Sequence, residues 1–163
     1  MKTIFILLTK YSDWRSNLLY YFTGFGYTHA SIGLDDEDCY YSFNYRGFAI
    51  ETMEKHREKG VKKSLRFRIQ VSEETYKNLK QRIFEFKDNQ SLYQYDRKAV
   101  ALAFLRIPYQ RKNRYFCSQF VAELLVQSKA LKLRRNTNVY LPNQLLSELY
   151  QCPRLIEAMQ DVI

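Results

Sequence analysis

Apolar residues alternate with polar ones in some stretches of this chain and recur every three to four positions in others. Each change of period marks a new element. Thr3–Thr9 is a short apolar run with β-branched residues, which predicts a buried strand. Ser12 or Asp13 can cap a helix to about Phe22, with Trp14, Leu18, Leu19 and Phe22 on its apolar side and Gly24 and Gly26 ending it. Thr28–Leu34 alternates. Ala30, Ile32 and Leu34 share one face and His29, Ser31 and Gly33 the other, as in a half-buried strand. The acidic turn Asp35–Asp38 joins it to a strand at Cys39–Asn44, and Phe48–Thr52 follows as a third.

Glu54–Lys63 is so densely charged that it reads as a solvated connector. Leu65–Val71 alternates again, Leu65, Phe67, Ile69 and Val71 against Arg66, Arg68 and Gln70. Ser72 then opens a helix with the stripe Tyr76, Leu79, Ile83 and Phe86. Tyr93–Asp96 precedes a helical run over Ala99–Leu105, which Ile107-Pro108 ends. Two basic loops, Arg111–Arg114 and Leu131–Asn138, bracket a helix from Cys117 to about Ala130. Pro142 begins a helix through Tyr150, and a short last helix is expected over Leu155–Val162.

Composition narrows the class. At 163 residues, 46% hydrophobic and 16% aromatic, the chain predicts a single globular domain over 1–163 with a real core. The net charge of +9 predicts attraction to anionic partners. Three widely spaced cysteines, Cys39, Cys117 and Cys152, give no disulfide framework and fit a reducing, cytoplasmic setting. No apolar run approaches membrane-spanning length. Two histidines on unrelated segments match no metal spacing, and no phosphate or dinucleotide fingerprint occurs, so neither metal nor cofactor is expected.

The chemistry gathers at Tyr115-Phe116-Cys117-Ser118-Gln119-Phe120-Val121. Phe120, Val121, Leu124 and Leu125 form a buried stripe, and Cys117 stands at its N-terminal edge. A thiol in a first helical turn meets unpaired N–H groups and the positive end of the dipole, which favour thiolate. Arg114 and Lys112 add positive charge nearby. Position alone fits a small core residue as well as a nucleophile. A thiol nucleophile needs a base. His56 lies in a fully charged segment, whereas His29 opens a strand with Ser31 and Gly33 on its own face, leaving room for a substrate. If the acidic turn centres on Asp36-Glu37, His29 lies opposite Asn44 with Ser42 diagonal to it. Either could orient the imidazole, with Glu51 a more distant alternative. Cys39 follows acids that disfavour thiolate, and Cys152 has no histidine nearby in sequence.

Tyr27-Thr28-His29-Ala30-Ser31-Ile32, Tyr41-Ser42-Phe43, Tyr95-Asp96 and the Cys117 stretch, in this order, resemble the circularly permuted branch of the NlpC-type papain-like cysteine peptidases. There a histidine strand of the form THxxI precedes a cysteine helix of the form YxCSxxV. The resemblance implies an α+β papain-like fold, with the nucleophile helix packed on an antiparallel sheet. It also implies a thiolate–imidazolium pair and an oxyanion hole made partly by the Cys117 N–H. Tyr95, Tyr27 and Ser118 would border the substrate. Some permuted relatives use a glutamate as the third polar residue, where the strand after His29 offers Ser42 and Asn44.

The expected function is thus a cysteine hydrolase. Cys117 attacks a peptide-type amide of a small, anionic peptide or acyl substrate, and His29 acts as base. Two rival classes remain: a lipid or thioester acyl hydrolase or acyltransferase in peripheral contact with a membrane, and a non-catalytic basic binding module. Basic residues interleaved with aromatics over Arg106–Tyr115 lean toward nucleic acid, but a charge run is more often a solvated face. Retention of both Cys117 and His29 favours the enzyme.

Overall fold

The computed structural model describes residues 1–12 and 26–163. The helix expected over residues 13–22 lies outside the described residues. Six strands form one antiparallel sheet: β1 (Lys2–Tyr11), β2 (His29–Gly33), β3 (Cys39–Asn44), β4 (Gly47–Thr52), β5 (Val61–Val71) and β8 (Leu155–Gln160), in the order β4-β3-β2-β1-β5-β8. A second, two-stranded ladder pairs β6 (Gln94–Tyr95) with β7 (Arg114–Tyr115) in parallel. The described helices are α1 (Met53–Glu58), α2 (Glu73–Asp88), α3 (Arg97–Phe104), α4 (Cys117–Gln127) and α5 (Pro142–Tyr150). The architecture is α+β.

The alternating strands sort their side chains onto two faces. Ile4, Ile6 and Leu8, Ala30 and Ile32, Phe43, and Leu65, Phe67, Ile69 and Val71 meet the stripes of α2 and α4 in the main core. Rings lock the α4 end of this layer. The centroid of Phe120 lies 5.1 Å from those of Phe43 and Phe86, and that of Tyr115 lies 5.2 Å from Phe43. Such pairs contribute about 0.5–1.5 kcal/mol each beyond the area they bury. Because Phe120 is one turn after Cys117, this cluster also fixes where Cys117 sits.

The opposite face is smaller and partly polar. Phe5, Leu7, Tyr40 and Met53 form its apolar part. Thr9, His29, Ser31, Ser42, Glu51 and Ser64 are buried polar groups of the sheet. Helix α1 follows β4 directly, capped by Thr52 Oγ1 accepting from Lys55 N, and turns Met53 and His56 inward. The expectation of a solvated connector over Glu54–Lys63 is therefore corrected. The charges of α1 face water, but two residues three apart make one buried stripe.

A second correction concerns the C-terminus. Leu155–Gln160 is a strand on β5, not a helix. An uncovered β5 would present a row of unpaired backbone groups, and covering that row outweighs weak local propensity. The remaining elements sit close to where the pattern puts them, and α5 starts at Pro142. Gly26 is required by contact. A Cβ there would lie 1.8 Å from Asn143 Oδ1, which accepts a 2.7 Å hydrogen bond from Tyr27 N and ties the approach to β2 against α5. Among the described residues no helix is long and apolar enough to cross a membrane.

Candidate active site

His29 and Cys117 arrive from different layers. His29 is the first residue of β2, held by pairing with Thr9 of β1. Cys117 is the first residue of α4. The residue before the helix, Phe116, has no side-chain acceptor, so no side chain at that position caps the first turn. Gln119 reaches back, its Oε1 accepting from Phe116 N at 3.3 Å. The first-turn N–H groups are thereby left for the sulfur. Cys117 stands close enough to the His29 side chain and to the backbone N–H groups of Ala30 and Ser118 for all three to act on its thiol.

Burial alone would raise the Cys117 pKa. The hydrogen bond and charge of His29, then the Ala30 and Ser118 N–H groups, outweigh it and lower the pKa below the ordinary thiol value. For His29, burial favours the neutral ring, but Glu51's charge and the hydrogen bonds to Cys117 and Glu51 raise its pKa to about 10. Both shifts favour the thiolate–imidazolium form of the pair, whose two groups titrate as a unit.

The third member is Glu51, not Ser42 or Asn44. Glu51 Oε2 and Oε1 lie 2.9 and 3.1 Å from His29 Nε2, with the carboxylate 1% exposed. That contact leaves Nδ1 for the thiol. The expected hairpin register is nonetheless present, Ile32 facing Tyr41 and Gly33 facing Tyr40. The orienting residue differs because Ser42 Oγ donates to Ala30 O at 2.6 Å, and Asn44 Oδ1 accepts from Arg46 N within the turn. Both are taken up by backbone partners, Ser42 by the neighbouring strand and Asn44 by its own turn. Tyr40 pairs with Glu51 one strand further on, which keeps Glu51 on His29's face. The small Ser31 and Ser42 on the strands between leave room for Glu51 to reach His29 diagonally. Burial would raise the Glu51 pKa, but His29, then His56 and Lys59, hold it below the usual carboxylate value.

His56, assigned to a charged surface by its neighbours in sequence, is fully buried beside this group. Its Nδ1 lies 2.9 Å from Tyr11 Oη and its Nε2 3.5 Å from Glu51 Oε2. Burial, opposed by Glu51 and assisted by His29 and Lys59, lowers its pKa to about 4, so the ring is neutral.

Of the residues expected to touch substrate, Tyr95 and Ser118 line a cleft at Cys117, together with Thr28, Val100, Phe116, Leu141 and Pro142. Its free volume is about 20 Å³, room for about one water. Tyr27 does not line it. Its side chain is packed in the main core with Lys63 Nζ 4.7 Å from the ring centroid. Tyr95 reaches the cleft because β6 pairs with β7, just before Cys117. Burial, then the Cys117 charge, raises the Tyr95 pKa, so it remains a protonated phenol. Asp96 beside it is structural. It caps α3 by accepting from Ala99 N at 3.0 Å and holds the Arg111 guanidinium through both carboxylate oxygens.

The basic loops do not flank the cleft as a pair. Arg111 is paired to Asp96. Lys132 and Arg134 line a separate groove of about 610 Å³ with Lys129, Arg154 and Cys152, at the C-terminal end of α4. An 11-residue helix spans about 16 Å, so this charge lies at the far end from Cys117. No cluster of three or more potential metal ligands occurs among the described residues.

A thiolate–imidazolium pair with a buried carboxylate behind the ring can attack a carbonyl, hold an acyl group and return a proton to the leaving atom. The Cys117 N–H, in a first turn with no intrahelical acceptor, is placed to stabilise an oxyanion. No protein-family model and no curated protein matches the chain.

Proposed function

We propose that this protein is a cysteine hydrolase acting through an acyl-enzyme on Cys117. The observation that carries the reading is the chain of contacts Glu51–His29–Cys117, with the thiol at a helix N-terminus and a phenol and a cleft beside it. His29, protonated at rest, leaves Cys117 as thiolate for attack on a carbonyl carbon. The same imidazolium then protonates the departing nitrogen, and the neutral ring activates the water that releases the acyl group. Glu51 fixes the tautomer and supports the charged ring. The resemblance to permuted NlpC-type papain-like peptidases supports a peptide-type amide as substrate. The test is turnover of a fluorogenic peptide-amide panel beside matched esters and thioesters. Amide turnover abolished by Cys117→Ala and His29→Ala supports the reading. Turnover of esters or thioesters alone replaces the amide with an activated acyl substrate, and activity retained in Cys117→Ala defeats it.

A further inference from the structure

We propose that His56 is a positioning residue, whose buried ring holds the Glu51 carboxylate toward His29 while Tyr11 sets its tautomer. This rests on the acyl-transfer reading of Cys117 and His29.

His56 is 0% exposed on a helix whose only other buried side chain is Met53. An apolar side chain would fill that space without burying a polar ring. The groups facing the ring are Tyr11 from β1, His29 from β2, Glu51 from β4 and Lys59 just after α1. Tyr11 lies almost parallel to it, centroids 6.0 Å apart at 19°, with its hydroxyl 2.9 Å from Nδ1.

The tautomer follows from charge. If Nδ1 carried the proton, the Nε2 lone pair would face a carboxylate, which is repulsive. If Tyr11 donates to Nδ1, Nε2–H faces Glu51 Oε2 instead. At 3.5 Å that contact is longer than a full hydrogen bond, and Nε2 has no nearer partner among the described residues. Glu51 therefore sits between two imidazoles. Its stronger contact is with His29 at 2.9 Å, and Lys59 Nζ stands 3.9 Å from its other oxygen. A buried carboxylate needs such partners to stay ionised. Without His56 it keeps only His29 and the more distant, half-exposed Lys59, and its support of the His29 charge weakens. The neutral state of His56 fits this role, since a second cation would compete with His29 for Glu51.

The experiment is the rate of Cys117 carbamidomethylation by iodoacetamide from pH 5 to 9, read by peptide mass, in the full chain. Folding of each variant is checked by circular dichroism. His56→Leu should move the midpoint up by about one pH unit and slow labelling at pH 6 by about tenfold, the scale expected when a buried carboxylate loses one polar neighbour. His56→Gln, whose amide donates from near the Nε2 position, should stay within about threefold of wild type at that pH, well inside that loss. Tyr11→Phe, which frees the tautomer, should fall between them. A folded His56→Leu with the wild-type midpoint overturns the proposal. If His56→Leu does not fold, an unchanged midpoint in Tyr11→Phe overturns it instead. A wild-type Cys117 that titrates like a free thiol defeats the acyl-transfer reading itself. A low midpoint that ignores His56 defeats only the positioning role.

Discussion

Glu51→Gln removes a charge while keeping the volume and an acceptor for His29 Nε2–H, so it isolates the electrostatic role of the carboxylate. His29 is raised from its ordinary value of 6.5 to about 10. That rise corresponds to about 5 kcal/mol of preference for the imidazolium. Glu51's charge is the largest contribution favouring the protonated ring, and Cys117 supplies much of the rest. If Glu51 carries about half, its loss removes about 2–3 kcal/mol, or roughly a hundredfold in the population of the ion pair. The pair then shifts toward neutral thiol and imidazole near neutrality. Iodoacetamide labelling of Cys117 at pH 6 should slow by about a hundredfold, and the acid limb should move up by about two units. The α-helical circular dichroism should be unchanged. A folded Glu51→Gln that labels within about threefold of wild type at pH 6 would mean that Glu51 is a packing residue and that another group sustains the thiolate.

Four further outcomes follow from the same geometry. His56 has a folded pKa of about 4 against an ordinary 6.5, so its contribution to stability is present above pH 6.5 and lost as pH falls toward 4. Urea midpoints should decline over that window, and His56→Gln should flatten the decline; equal slopes would contradict it. Phe43→Ala, at the centre of the rings around Phe120, should cost about 3–5 kcal/mol in denaturant unfolding and loosen the α4 end of the core, whereas a cost under about 1 kcal/mol would contradict that packing. Asp96→Ala, which removes the α3 cap and the Arg111 partner, should cost at least about 1 kcal/mol and lower peptide turnover through displacement of Tyr95; unchanged turnover would separate Tyr95 from substrate. Lys132→Ala with Arg154→Ala, at the far end of α4, should leave Cys117 labelling unaltered at 0.1 M salt, where screening acts over about 10 Å; a slowed rate would mean that the charge of this groove does reach the Cys117 thiolate.

Period and spacing carried much of this molecule. The alternation around His29, the hairpin register and the stripe behind Cys117 were all legible, and they bring these two side chains together. Glu51 was harder to read because its reach to His29 is diagonal, made possible by small residues on strands between them. Pairwise register of one hairpin points at Asn44 and Ser42, but it cannot reveal that local backbone groups satisfy both. His56 was hidden by its neighbours. Glu54, Lys55, Arg57, Glu58 and Lys59 dominate the composition, yet Met53 and His56 at a spacing of three were the one available sign of an inward face. The last strand was missed because its partner β5 lies far back in the chain, Ile69 pairing with Leu155 86 positions later, and supplies what Leu155–Gln160 lacks locally.

The most direct test of the account is to trap the acyl-enzyme. The protein is mixed with an activated acyl ester of a short peptide, quenched in acid and read by intact mass and peptide mapping. The account predicts one acyl group per chain, on Cys117, which decays as water resolves it and is absent from Cys117→Ala and His29→Ala. An adduct spread over lysines, or one that forms equally in Cys117→Ala, would contradict it.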